Sequence, residues 1–205
     1  MSQDSPYHDG MRRLQEARET RALADRLAEK TARYAFTDDD RAFMHGCSMF
    51  FLATADAHGQ PDCSYKGGAP GFVRVVGEAS LVFPDYDGNG MYRSLGNTLV
   101  NPQVGLLFID FAQPRRLRVN GTARVVTDDP LMVEFPAAVM LVRIEATRIF
   151  PNCPRYIHHL TMDGLSEYTP RDAYVPPVPA WKTREHYRDV LPARDRMEST
   201  EPPSP

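Results

Sequence analysis

The chain has 205 residues, 42% of them hydrophobic and 25% charged, with a formal net charge of −3 at pH 7. That length and apolar content suit one packed domain with extra terminal segments rather than a disordered chain. Lys and Arg are spread along the chain, which argues against the clustered positive surface of a nucleic-acid binder, and the longest apolar runs have roughly 5–8 residues against the ~20 of a spanning helix.

The three cysteines, Cys47, Cys63 and Cys153, form no CxxC pair and are odd in number, so no disulfide framework is expected. Residues 1–10 are polar and carry no apolar signal-peptide core. Both observations predict a cytoplasmic protein that does not engage a membrane.

In chain order, residues 10–30 are rich in Arg, Glu, Ala and Leu with no internal Pro or Gly, which predicts one helix capped at Asp9. Leu23 and Leu27 would share a face of that highly charged, outward-lying helix. A second short helix is predicted from Asp38 to Gly46. Met49–Ala55, the turn residues His58-Gly59-Gln60 and Asp62–Lys66 read as a β-hairpin. Phe72–Val76 and Ser80–Phe83 read as another strand pair around Gly77-Glu78.

Asn89–Val100 reads as a helix. The continuous apolar run Val104–Ile109 predicts a central strand buried on both faces. Leu117–Val126 alternates, with Leu117, Val119, Gly121, Ala123 and Val125 on one face and Arg118, Asn120, Thr122 and Arg124 on the other. In Val139–Phe150, Met140, Val142, Ile144 and Ala146 are expected inward and Arg143, Glu145 and Thr147 outward.

About seven strands joined mostly by short turns predict a largely antiparallel sheet closed into a barrel, mainly β with peripheral helices (an α+β chain). The implied organisation is a helical segment over residues 1–37, the barrel over 38–160 and an arm over 161–205. From Pro170 onward lie 8 of the 18 prolines, so this arm is expected to lack regular structure.

Two segments carry the candidate chemistry. In Asp87-Gly-Asn-Gly-Met-Tyr-Arg-Ser-Leu-Gly-Asn97, two glycines precede a helix start, where free N–H groups and the positive dipole end favour phosphate. Arg93, Ser94 and Asn97 are spaced to share one helix face, and Arg brings a fork of donors for phosphate oxygens. On spacing alone, an ordinary helix start with a solvated Arg93 fits equally. In Asp62-Cys-Ser-Tyr-Lys66, Ser64 and Lys66 share one strand face and Cys63 and Tyr65 the other. Lys66 precedes Gly67-Gly68, where backbone can approach a ligand; an exposed edge-strand lysine fits the same pattern.

The six histidines, including His158-His159, show no zinc-ligand spacing. No nucleophile elbow, Walker A motif or G-x-G-x-x-G is present, and no metal site or catalytic side chain is assigned.

Taken in order, the strand ending at Lys66, the following hairpin, Arg93-Ser94, Asn101-Pro102 and the buried strand Val104-Gly-Leu-Leu-Phe-Ile-Asp110 resemble the FMN-binding split β-barrel superfamily of pyridoxamine 5′-phosphate oxidase. The resemblance spans residues 38–150. It implies FMN as cofactor, with Arg93 and Ser94 on the phosphate, Asn97 nearby, and Ser64, Tyr65 and Lys66 along the ribityl chain and ring. It also implies a homodimer with FMN at the subunit interface, so that Asn152 and Arg155, in Phe150-Pro-Asn-Cys-Pro-Arg-Tyr156, would reach the partner's cofactor.

The function implied is an FMN-dependent oxidoreductase acting on a small molecule. A non-catalytic flavin-binding or storage protein, or a deazaflavin- or haem-binding barrel, is the alternative. The resemblance ends before the C-terminal segment that completes the substrate site in the family's oxidases, because Trp181 is followed here by Lys182-Thr183-Arg184 and a Pro-rich tail. It therefore implies no substrate.

Overall fold

The structure, a computed structural model, describes residues 5–196. The chain divides into two compact units, Met1–Leu165 and Ser166–Pro205. In the first unit, α1 (Asp9–Ala17), α2 (Arg21–Thr31) and α3 (Asp38–Gly46) precede β1 (Met49–Ala55), β2 (Pro61–Gly67), β3 (Arg74–Val75), β4 (Ser80–Asp85), α4 (Arg93–Val100), β5 (Gln103–Asp110), β6 (Arg115–Val126) and β7 (Met140–Pro151).

The single N-terminal helix expected over residues 10–30 is instead two. Glu19 takes a left-handed backbone, φ 55°, and turns the chain back on itself. Arg12 then pairs with Asp25 at 2.7 Å and the Tyr7 hydroxyl donates to Ala24 O at 2.8 Å. Neither partner pair could form along a straight helix, and no Gly or Pro announces the break. The cap also differs: His8 accepts from the Met11 N–H, and Asp9 is the first helical residue. The helix expected at residue 38 is present, with a Thr37–Asp40 capping box. Burial alone would raise the Asp40 carboxyl, but bonds from Arg33 and Thr37 outweigh it and hold it below its ordinary value.

The seven strands form one antiparallel sheet in the order β2-β1-β5-β6-β7-β4-β3. Phe50, Leu52 and Thr54 of β1 alternate inward and are buried, as period-2 geometry requires. Phe72 and Val73 belong to a buried turn, and only Arg74–Val75 pairs as a strand. The loop through Asn89 and Gly90 delays α4 until Arg93. On β5, Val104, Leu106 and Phe108 are buried, whereas Gly105, Leu107 and Ile109 are only half-buried. The apolar run thus conceals an alternating strand, because its second face is incompletely covered in the single chain.

On β7 the alternation changes phase. Ile144 pairs with Ala123 and Ala146 with Gly121, but Arg148 pairs with Asn120 and Ile149 with Val119, which leaves Thr147 unpaired at a bulge. The extra residue lets both Ile144 and Ile149 enter the same core despite their odd spacing. Gly121 is required there: a Cβ at this position would lie 2.3 Å from Glu145 O. Leu141, expected on neither list, is buried in a second cluster with Val82 and Phe135.

The sheet curls until strands distant in its order meet. Phe50 of β1 lies 5.0 Å edge-on to Phe83 of β4, 5.0 Å from Phe108 of β5, and 5.9 Å from Phe72. β2 and β4 share no ladder, yet Lys66 Nζ comes within 3.9 Å of Asp85 Oδ1. The barrel is therefore split: its wall closes by side-chain packing rather than by backbone pairing.

The second unit is not wholly irregular. Short 3-10 turns occur at Ala180–Thr183, Glu185–Tyr187 and Ala193–Asp195. Lys182 Nζ reaches Asp195 Oδ1 at 2.9 Å, and Trp181 packs edge-on to Tyr187. Proline rules out long helices but permits such single turns. Among the described residues, no helix is long and apolar enough to cross a membrane.

Because Phe50 touches three other rings at the closure, Phe50→Ala is expected to destabilise the protein by about 3–5 kcal/mol, read as a lowered chemical-denaturation midpoint.

Candidate functional site

The split opens into a cleft of about 380 Å³ between β2, the end of β4 and the start of α4. On β2, Asp62, Ser64 and Lys66 stand opposite Thr54, Leu52 and Phe50 of β1. They therefore share the core-facing side of the hairpin, but at the sheet edge, where that side gives onto the split. Tyr65 points the other way and lies against Phe51, with ring centroids 6.2 Å apart, and it still borders the cleft mouth.

The far wall is the loop into α4. Asn89 Oδ1 accepts from the Met91 N–H at 3.0 Å, Gly90 has φ 75°, and Tyr92 has φ 47°. Left-handed geometry suits Gly90 and strains Tyr92. Together they bring the chain sharply into α4 with no side chain capping it. Gly96 N–H is the first to bond back, to Tyr92 O at 2.6 Å. The N–H groups of Arg93, Ser94 and Leu95 therefore have no partner within the helix, and all three residues line the cleft.

At this end, Ser94 Oγ lies 2.9 Å from Asp62 Oδ2 and 2.8 Å from Ser64 Oγ. Arg93 Nε lies 3.4 Å from Asp62 Oδ1, with its side chain 67% exposed. At the other end are Lys66, Asp85 and Tyr86. Burial raises the Asp85 carboxyl above its ordinary value; Lys66 opposes that and Asp87 adds to it. Burial likewise pushes the Tyr86 hydroxyl up to about 12, against a lowering influence from Arg74. The cleft thus has two polar ends, with Arg93, Ser94 and Asp62 at the start of α4 and the Lys66–Asp85 pair at the other.

Of the residues singled out in the sequence, Ser64, Tyr65, Lys66, Arg93 and Ser94 come together around this cleft. Asn97 does not line it. Its amide donates to Thr54 Oγ1 at 3.1 Å, because one helical turn beyond Ser94 the same face has passed from the cleft to β1. Asn152 and Arg155 do not line it either. Asn152 borders a separate cavity of about 250 Å³ with Arg33, Asp40, Arg115 and Arg116, and its Oδ1 is buried without a hydrogen-bond partner among the described residues. The Arg155 guanidinium lies 5.8 Å from the Tyr156 ring centroid.

Asp62, Asp85 and Tyr86 also line the cleft, beyond the residues the sequence pattern singles out. Asp62 was within reach, since it lies two residues before Ser64 and must share its face. Asp85 and Tyr86 had no such signal, because only closure of the barrel brings β4 to β2.

A curled antiparallel sheet whose wall opens beside an uncapped helix start defines the chain as a split β-barrel with a cleft at its seam. The chain belongs to the pyridoxamine 5′-phosphate oxidase family, whose model matches residues 36–154, more than half of its length. Similar solved structures include HupZ from Group A Streptococcus, with 19% identity over 57% of this chain and 94% of that one and a TM-score of 0.45. HutZ, the haem storage protein from Vibrio cholerae, has 22% identity over 53% and 88%, with a TM-score of 0.41. An FMN-binding protein from Syntrophomonas wolfei has 13% identity over 69% and 97%, with a TM-score of 0.39. No curated protein sequence matches the chain.

A carboxyl raised by folding favours the folded state while it is protonated, and that contribution is lost as pH rises through its folded value. Above its ordinary value of 3.8, ionised Asp85 therefore opposes folding. Asp85→Asn is expected to raise the melting temperature of the ligand-free protein at neutral pH, with the gain shrinking as the pH falls toward that value.

Proposed function

We propose that this protein binds FMN in the cleft at the barrel split and acts as an FMN-dependent oxidoreductase on a small molecule. The observation that carries the reading is the uncapped start of α4, where Arg93, Ser94 and Leu95, whose N–H groups have no partner within the helix, line the same cleft as Lys66. Free N–H groups, a positive dipole end and a guanidinium fit a phosphate monoester. Family membership supports a flavin as the molecule that bears it.

In this reading Arg93 and Ser94 hold the phosphate, with Ser64 beside them and Tyr65 at the mouth. Lys66 lies where an electron-rich ring edge would be met by positive charge. Bound FMN would supply hydride or electron transfer, and the protein supplies orientation and electrostatics. Lys66 favours added negative charge at its end of the cleft, and Asp85 beside it moderates that charge. No further side chain is assigned a chemical step.

The reading includes a homodimer with the cofactor at the subunit interface. Exposed apolar side chains around the cleft and along α4, namely Tyr65, Met91, Tyr92, Leu99 and Val100, support burial against a second copy. The partner-facing roles of Asn152 and Arg155 belong to this dimer. The unpartnered Asn152 Oδ1 supports a contact that one chain by itself does not supply.

The absorption spectrum of freshly purified protein tests the cofactor directly: flavin bands are expected, and a haem or deazaflavin spectrum would overturn the assignment. Arg93→Ala is expected to weaken FMN by on the order of tenfold or more while sparing riboflavin, which lacks the phosphate; fluorescence titration of both flavins measures the difference. Lys66→Ala is expected to lower the reduction potential of bound FMN, measured by dye-coupled reduction, since reduced flavin loses a neighbouring positive charge.

A further inference from the structure

The phosphate end of the cleft contains an anion of its own. Asp62 stands on β2 with its side chain 17% exposed and contacts both residues expected to grip a phosphate. The contacts fix where the protons are. A carboxylate only accepts, so at 2.9 Å Ser94 donates to Asp62 Oδ2. A hydroxyl has one proton, so at 2.8 Å Ser64 must donate to Ser94 Oγ. The relay therefore runs Ser64 to Ser94 to Asp62 and ends on the carboxylate. Arg93 Nε is drawn to the other oxygen of the same group.

In this state both serine hydroxyls turn their protons toward Asp62 and offer only lone pairs to an incoming phosphate. The guanidinium is partly neutralised as well. The backbone N–H groups of α4 are the donors left unengaged by the carboxylate.

We propose that Asp62 is a specificity-determining residue that competes with the phosphate of the ligand for Arg93, Ser94 and Ser64. This deepens the FMN reading above and rests on it. A phosphate monoester has to reverse the serine relay and sit beside a like charge. A flavin without the phosphate meets neither cost. Asp62 thereby narrows the affinity gap between the two.

Replacing the carboxylate by an amide removes the charge and supplies an N–H that can donate to Ser94 Oγ. That turns the relay around, so that Ser64 can donate outward. Asp62→Asn is therefore expected to tighten FMN about tenfold, the scale of one charged hydrogen-bonding interaction, and to leave riboflavin unchanged. Asp62→Ala removes the charge without the donor and should tighten FMN by less.

The test is fluorescence titration of FMN and riboflavin into flavin-free full-length protein, comparing the wild type, Asp62→Asn, Asp62→Ala and Arg93→Ala. A rise in the FMN-to-riboflavin affinity ratio in both Asp62 variants, larger for Asn, supports the proposal. An unchanged or lower ratio in the Asp62 variants, while Arg93→Ala still costs FMN more than riboflavin, overturns it and makes Asp62 a residue that positions the donors. Equal loss of both flavins in Arg93→Ala overturns the phosphate reading itself, and the proposal with it.

Discussion

Phe50 lies where the barrel closes without a backbone ladder. Its ring, buried among Phe72, Phe83 and Phe108, draws β1 and β4 together although four steps separate them in the sheet order. That packing leaves β2 and the end of β4 facing each other across a gap instead of pairing. A hydrogen-bonded closure would fill the seam with main chain. An aromatic closure holds the wall shut at its base and leaves the rim open, and the rim is where the cleft forms.

The cleft inherits its chemistry from this arrangement. β2 is an edge strand, so the face that elsewhere would be core is free to carry Asp62, Ser64 and Lys66. The chain leaving β4 turns through the left-handed residues Gly90 and Tyr92 and presents the start of α4 to the same gap. Polar groups that would be costly inside a closed barrel are here half-solvated, and each has a partner across the seam: Lys66 with Asp85, and Arg93 and Ser94 with Asp62. The cost of holding them is visible in the raised Asp85 carboxyl.

Order along the cleft follows from the antiparallel register. Thr54, Leu52 and Phe50 set the spacing of Asp62, Ser64 and Lys66, so the groups meeting α4 and those meeting β4 are separated by the length of a short strand. A ligand with an anion at one end and an electron-accepting ring at the other matches that spacing of functions. The phosphate position proposed above lies at the α4 end of the cleft, where the uncapped helix start and Arg93 meet Asp62.

Much of this was legible in the amino-acid sequence. Period-2 alternation placed Leu117, Val119 and Ala123 inward on β6, and the glycine-rich approach to Arg93 marked a helix start, because both depend on residues near one another in the chain. The break at Glu19, the bulge at Thr147 and the turning of Asn97 toward Thr54 were not legible. Each is decided by a partner far along the chain or by a left-handed backbone at a residue that does not advertise it. Asp85 is the clearest case: nothing in Phe83-Pro84-Asp85 announces a site, and it faces Lys66 only because the curled sheet brings its two sides together. The sequence by itself determined which segments bring polar groups to the cleft, since that lies in residue type and short spacing. Which of those groups meet, and which carboxylates stand among them, was decided only by the closure of the barrel, since non-local packing has no short-range signal.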